Sequence, residues 1–146
     1  MRAVLAAWLL CLACVPAAAQ TVIVYSHVDR TEALQVRHLV QAYDRVSMDV
    51  DLEPGVPWRP TLAGWILRAR TVIVLWSASA AASAEVAPEW RMALAGSARV
   101  MPILLDATPL PPALAERQAV DWAALRACAM LPPCPCPSIA RTMAPQ

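Results

Sequence analysis

The sequence predicts an α/β fold with a mostly parallel sheet and helices on both of its faces. Apolar runs rich in β-branched residues alternate along the chain with segments in which apolar residues recur at helical spacing. Two of these runs, 21–26 and 71–77, are largely apolar, as expected for strands buried on both faces. The chain has 146 residues, which suits one domain. The alternation therefore indicates βαβ units with right-handed crossovers.

The first strand, 21–26, leads into a helix that begins near Asp29. We expect Asp29 to cap this helix, with Glu32 three residues later completing a capping box. The helix has one apolar face, formed by Ala33, Val36, Leu39, Val40 and Tyr43.

A second short strand is predicted at 46–50. The loop 51–58 follows and is built from turn formers. A second helix is predicted at 59–69, with an apolar face formed by Leu62, Trp65, Ile66 and Ala69.

The third strand, 71–77, is followed by an Ala/Ser loop and then by a helix at 88–96. Pro88 suits the first position of that helix, and Gly96 suits its end. The remaining predicted elements are a fourth strand, a helical turn and a short strand that runs into a helix, at 99–106, 108–118 and 119–127. Binding loops in such a sheet follow the carboxyl ends of the strands, here at 26–29, 51–58, 77–83 and 106–111.

The first twenty residues have the plan of an export signal. An Arg precedes an apolar run at 3–15, Pro16 interrupts it, and small residues lead to a cleavage site after Ala19. We expect 1–20 to be a secretory signal or membrane anchor, and the protein to be exported or anchored. The alternative is a misplaced start codon and a cytoplasmic protein that begins near Thr21.

Cysteines and charge limit the kinds of site. Cys128, Cys134 and Cys136 lie in a Pro-rich segment, 128–146, which we interpret as a flexible tail after a domain at 21–127. No second Cys pair or His lies near them at ligand spacing, so no metal site is predicted. They are interpreted as incidental thiols, or as one disulfide with a free thiol if the chain is exported. The formal net charge of +1 gives no basic field for a nucleic-acid partner.

Four blocks of sequence together resemble a known family. These are VIVYSHVDR, MDVDLEPGVPW, TVIVLWSASAAAS followed by EW and AL, and VMPILLDATPLPPAL. Their order and distances are similar to those of bacterial Toll/interleukin-1 receptor (TIR) domains, over about residues 21–126. The resemblance implies a flavodoxin-like three-layer sandwich with a central parallel five-stranded sheet. It also implies other TIR domains as partners, through homotypic self-association.

The resemblance implies one of two functions. TIR domains are either adaptors that assemble with one another or enzymes that cleave NAD at the nicotinamide–ribose bond. The enzymes carry a glutamate on the helix after the third strand, and Glu89 occupies that position here. One carboxylate suffices, because nicotinamide leaves as a neutral molecule without a general acid. The carboxylate would stabilise the oxocarbenium-like ribosyl group, with NAD as substrate and no cofactor.

The resemblance also implies the supporting residues. Substrate-binding residues would be Tyr25, Ser26, Asp29, Gly55, Trp58 and Ser77. The alternative is a non-catalytic module that assembles through the family's BB loop, here Asp51, Leu52, Glu53, Pro54, Gly55, Val56, Pro57 and Trp58. Simpler interpretations stand beside these roles. A helix dipole favours a carboxylate at Glu89 in any protein, and a lone loop residue such as His27 is expected to be a surface residue.

Two departures from the family pattern bear on catalysis. Enzymatic members usually carry a tryptophan four residues before the glutamate, where this chain has Glu85. A second carboxylate there is expected to raise the pKa of Glu89 by repulsion. Pro88 is expected to start the helix late and to shift Glu89. Glu89 by itself suggests an enzyme, but these two features shift the prediction toward the non-catalytic interaction module.

Overall fold

One parallel sheet forms the centre of the structure. The computed structural model describes residues 20–130, so most of the predicted signal and tail lie outside the described residues. The five strands have the order β2-β1-β3-β4-β5, and every pairing is parallel. They are β1 Gln20–Val24, β2 Arg45–Ser47, β3 Thr71–Trp76, β4 Arg99–Leu104 and β5 Val120–Asp121. This is the predicted flavodoxin-like arrangement.

Six helices connect and flank these strands. They are α1 Arg30–Val40, α2 Trp58–Arg68, α3 Ala78–Ala82, α4 Val86–Ala95, α5 Pro112–Ala115 and α6 Trp122–Ala129. Short 3-10 turns, His27–Asp29 and Asp49–Asp51, follow β1 and β2. In the described part of the chain, no helix has the length and apolar character needed to cross a membrane.

The core has two apolar layers, one on each face of the sheet. Residues of α1 and α6 pack with one set of strand residues, which includes Ile23, Ile73, Leu75, Met101 and Ile103. Residues of α2 and α4 pack with the alternate set, which includes Val22, Val24, Val72, Val74 and Trp76. Successive strand side chains point to opposite faces. All six residues of β3 are therefore buried, which explains its continuous apolar sequence.

The predicted capping box at the start of α1 is wrong. Asp29 occupies the N-cap position, but its side chain makes no capping hydrogen bond. Its Oδ2 instead accepts a hydrogen bond of 2.6 Å from the Oγ of Ser77, at the end of β3. A buried hydroxyl and a buried carboxylate satisfy one another here, and this bond ties the loop after β1 to the loop after β3.

The predicted Ala/Ser loop after β3 also needs correction, because it contains α3. Ser77 Oγ accepts a hydrogen bond of 3.0 Å from the amide of Ala80, so Ser77 caps this five-residue helix. The helix keeps Ala80 in the core, at 1% exposure. Small residues and a serine cap thus form a helix too short to show a clear apolar period.

Three other predictions differ from the structure near element ends. The second strand stops at Ser47 and does not reach residue 50. Tyr43 is 55% exposed because α1 ends at Val40, before the predicted apolar face is complete. Cys128 is disulfide-bonded, so its interpretation as an incidental thiol is wrong, and the alternative of a disulfide applies to this residue.

Candidate active site

The candidate site is a cleft between the starts of α2 and α4. Strands β1 and β3 are neighbours in the sheet. From β1 the chain continues to β2 on one side of this pair, and from β3 it continues to β4 on the other side. Such a switch point opens a crevice at the carboxyl ends of the strands. The cleft has a volume of about 480 Å³ and is lined by Trp58, Arg59, Pro60, Leu62, Ala63, Ile66, Ala84, Glu85, Pro88, Glu89 and Met92.

A small recess adjoins this cleft and reaches toward β1. Its volume is about 20 Å³, and its lining shares Trp58, Leu62, Glu85 and Glu89 with the cleft and adds Ile23, Tyr25, His27 and Asp49. The loops after β1 and β2 and two helix starts therefore supply polar groups to one place.

The two helices that form the walls each carry a proline in the first turn. Pro60 is the third residue of α2, and Pro88 is the third residue of α4. The first four amides of a helix have no intrahelical acceptor, so proline costs no hydrogen bond there. The expectation that Pro88 begins its helix is wrong, because α4 starts two residues earlier, at Val86. Glu89 is the fourth residue of α4 and lies in its first turn.

Glu89 is half-buried in the wall of the cleft. Burial, followed by repulsion from Glu85 and then from Asp49, raises the pKa of its carboxyl from 4.5 to about 7. Glu85 lies four residues earlier, on the same side of the helix. The expected effect of Glu85 on this pKa is present, but burial is the larger cause.

Glu85 belongs to a loose network of charges at the edge of the cleft. Its Oε1 lies 3.7 Å from Nη2 of Arg59, and its Oε2 lies 3.7 Å from Nε2 of His27. Nδ1 of His27 lies 3.4 Å from Oδ2 of Asp49. His27 is exposed, as expected, but it lies between two carboxylates and is not an isolated surface residue.

Tyr25 and Asp49 form the inner end of the same network. The phenol of Tyr25 donates a short hydrogen bond to Oδ1 of Asp49. Burial and then this bond with the Asp49 carboxylate raise the pKa of the phenol well above its usual range. Tyr25 therefore remains a neutral donor at physiological pH, and it holds the Asp49 carboxylate against the recess.

The structure brings together only some of the residues proposed to bind substrate. Tyr25 and Trp58 line the recess with Glu89. The other four, Ser26, Asp29, Gly55 and Ser77, are not among the lining residues of either the cleft or the recess. Asp29 and Ser77 bond to each other in the interior, and Gly55 is at the exposed tip of its loop.

Only part of the proposed interaction loop, 51–58, is irregular, because both of its end residues belong to regular elements. Asp51 lies in a 3-10 turn, where its carboxylate accepts hydrogen bonds from the Met48 amide and from Arg37. Trp58 is already the first residue of α2. Between them, Gly55 has a φ of 87°, a conformation that favours glycine.

Several lining residues had no role in the sequence prediction. Arg59 and Met92 are the clearest cases. Met92 is three residues after Glu89, so helical spacing from Glu89 was the available signal. Arg59 gave no signal, because its neighbour Glu85 is distant in sequence. Among residues 20–130, no group of three or more His, Cys, Asp or Glu side chains is placed to hold a metal ion.

Comparison with known proteins identifies the family. A family model described as TIR domain matches residues 22–129. The crystal structure of the TIR domain of the Toll-related receptor TRR-2 from Hydra magnipapillata is similar, with a TM-score of 0.69 and 18% identity over 84% of this chain and 96% of that chain. A search of curated proteins found no match.

A second similar structure shows the same fold. The TIR domains of the activated Roq1 resistosome, which directly recognises the pathogen effector XopQ, give a TM-score of 0.54 and 18% identity, over 75% of this chain and 69% of that chain. At 18% identity these solved structures establish the fold alone. The family is established by the family model, which matches most of the sequence. The chain therefore belongs to the TIR domain family of signalling modules.

Proposed function

We propose that this TIR domain cleaves NAD at the nicotinamide–ribose bond, with Glu89 as the catalytic carboxylate. The observation that carries the proposal is the place of Glu89, in the wall of a cleft of about 480 Å³ beside Trp58. The pKa of this carboxyl, about 7, is far from its ordinary value. A perturbed carboxyl in a concave, mostly apolar site is typical of catalytic groups.

The chemistry needs a fixed negative charge more than it needs proton transfer. The nicotinamide–ribose bond breaks with its electron pair going to nicotinamide, which leaves as a neutral molecule. The ribosyl carbon becomes electron-poor, and the Glu89 carboxylate stabilises that charge where water is partly excluded. In the hydrolytic outcome, water adds to this carbon and releases one proton.

The pH dependence follows from the raised pKa of Glu89. Only the ionised carboxylate stabilises the ribosyl cation, and the carboxyl loses its proton at about pH 7. We expect kcat/KM for nicotinamide release, which reports the pKa of the free enzyme, to rise with pH and to reach half of its maximum near that pH. Steady-state rates from pH 5.5 to 8.5 test this, and a kcat/KM that falls over the same range contradicts the assignment.

Glu85→Gln separates the two main causes of this pKa. Removal of the Glu85 charge relieves the repulsion but leaves the burial, so the midpoint moves below 7 without reaching 4.5. At pH 6 we therefore expect the variant to retain a larger fraction of its maximal kcat/KM than the parent does. Glu116→Gln, at an exposed position that is not among the lining residues of the cleft or the recess, is the matched control and should leave the midpoint unchanged.

Assembly through the loop before α2 is the second candidate function. Val56 and Trp58 are each 39% exposed, which is high for large apolar side chains. The Roq1 TIR domains, one of the similar folds, come from a resistosome. These observations support homotypic contacts at the loop 51–58 and are compatible with an enzyme that assembles.

Gly55→Ala tests the assembly. Nothing lies within 4 Å of the position that a Cβ would occupy at this residue, so the substitution acts through its φ of 87° alone. Alanine resists that conformation by about 1–2 kcal/mol. In the unbound variant the loop therefore leaves this conformation. Restoring it on association costs the same free energy, which weakens association by about tenfold. Sedimentation velocity measures the dissociation constant of self-association. Gly96→Ala is the control substitution. If Gly55→Ala and the parent have the same dissociation constant, the role of the loop is refuted.

A further inference from the structure

The cleft and its recess are rich in negative charge and poor in positive charge. Their lining residues include three carboxylates, those of Asp49, Glu85 and Glu89, but Arg59 is the one arginine among them. No lysine occurs in the chain. His27 supplies a positive charge only when it is protonated. A ligand that carries phosphate therefore has one permanent cation to meet in these linings.

NAD has a charge distribution that matches this asymmetry. Its nicotinamide riboside end is positive, and its pyrophosphate carries two negative charges. The carboxylates suit the positive end and repel the phosphates, so the pyrophosphate must lie where Arg59 offsets this repulsion. Arginine suits the task because its planar guanidinium donates paired hydrogen bonds to phosphate oxygens.

Arg59 is placed to exchange its present partner for a ligand. Its side chain is 75% exposed, and its guanidinium carbon lies 5.0 Å from the centre of the Trp58 ring. The separation of 3.7 Å from Glu85 is longer than a hydrogen bond. Exposed ion pairs of this kind contribute little stability, so their loss on binding costs little. The second position of α2 adds the partial positive charge of a helix N-terminus.

We propose that Arg59 binds the pyrophosphate of the dinucleotide, and that Glu85 competes with the phosphates for Arg59. The inference rests on the proposed NAD cleavage and names the residue that positions the substrate. Glu85 holds the guanidinium at the edge of the empty cleft, and the phosphates displace it. The nicotinamide ribose then lies toward Glu89 while the pyrophosphate lies toward α2.

Arg59→Gln is the first test, in the full chain. The loss of a charge-assisted contact should weaken ADP-ribose binding about 10- to 100-fold in calorimetric titration. KM for NAD should rise by a similar factor, while kcat stays within about twofold because the reacting bond is distant from the phosphates. Arg91→Gln is the matched control. Arg91 also lies 5.0 Å from a tryptophan ring, that of Trp90, but is not among the lining residues.

A double-mutant cycle tests the competition with Glu85. Glu85→Gln should tighten ADP-ribose binding by about threefold or more where Arg59 is present, since the guanidinium is then free for phosphate. In the Arg59→Gln background the same change should tighten binding less, because only the direct repulsion between the Glu85 carboxylate and the phosphates is then relieved. A mere structural role for Arg59 does not produce this coupling. If Glu85→Gln tightens binding equally in both backgrounds, the carboxylate acts on the phosphate directly and the competition is refuted.

The outcomes for this inference and for the proposed function are separable. If the chain cleaves NAD, and Arg59→Gln changes neither KM nor the affinity for ADP-ribose, the role of Arg59 is refuted and the proposed NAD cleavage stands. ADP-ribose binding that depends on Arg59 without any turnover refutes the enzyme and keeps the phosphate site. Equal loss of affinity in Arg59→Gln and Arg91→Gln also refutes a specific role for Arg59.

Discussion

Glu89→Gln is expected to lower the rate of nicotinamide release by about 10²- to 10³-fold, which is the usual cost of removing one group that stabilises charge in a transition state. Glutamine keeps the size of the side chain and removes its negative charge. In the proposed reaction, the carboxylate stabilises a charge that develops only as the bond breaks. The loss should therefore appear in kcat, while KM for NAD changes little. Steady-state kinetics at pH 8, where the parent carboxyl is mostly ionised, measure both quantities.

Stability provides the control for Glu89→Gln. Because the pKa of the Glu89 carboxyl is raised from 4.5 to about 7 by folding, its protonated form favours the folded state. That contribution is complete below pH 4.5, is lost as the pH rises through 7, and at pH 8 the ionised carboxylate opposes folding. Glutamine removes that penalty, and the variant should unfold at the same temperature as the parent or higher at pH 8. Equal turnover by the variant and the parent sinks the assignment. Slow turnover with a lowered melting temperature means that the fold, not the chemistry, was damaged.

Leu75→Ala lowers the free energy of unfolding by about 2–5 kcal/mol, the usual range for truncation of a fully buried leucine. Leu75 is fully buried in the central strand β3, in the layer beneath α1 and α6. Truncation loses the transfer free energy of the removed groups and leaves a cavity between rigid elements. Urea denaturation followed by circular dichroism measures the loss.

Leu67→Ala is the matched control for the core. Leu67 is 57% exposed on α2, so the same change removes little buried surface, and alanine favours the helix. We expect a loss of less than about 1 kcal/mol. Similar losses for both leucines contradict the register that buries β3 on both of its faces.

The sequence predicted the strands and the longer helices because their signals are local. β3 needs apolar side chains on both faces, and this requirement is visible as the run 71–76. The capping box at Asp29 failed because a partner 48 residues away, Ser77, bonds to the same carboxylate. Contacts of that range depend on strand order, which no local pattern contains.

The candidate site divides in the same way. Glu89 was found through the family resemblance, and the repulsion from Glu85 followed from helical spacing. Arg59 was missed as a residue of the cleft because only the packing of α2 against α4 brings it near Glu85. The burial that mainly raises the pKa of Glu89 is also a property of the folded cleft.

Incubation of the purified full chain with NAD tests the central claim most directly. Chromatography of the products over time, with a matched incubation without protein, measures nicotinamide formation. We predict nicotinamide in amounts well above one equivalent of protein, with one ribosyl product, as ADP-ribose or a cyclised form, for each nicotinamide released. A correctly folded chain, shown by circular dichroism and a cooperative unfolding transition, that releases no nicotinamide at pH 8 would contradict NAD cleavage. The loop contacts of the second candidate would then be the function to pursue.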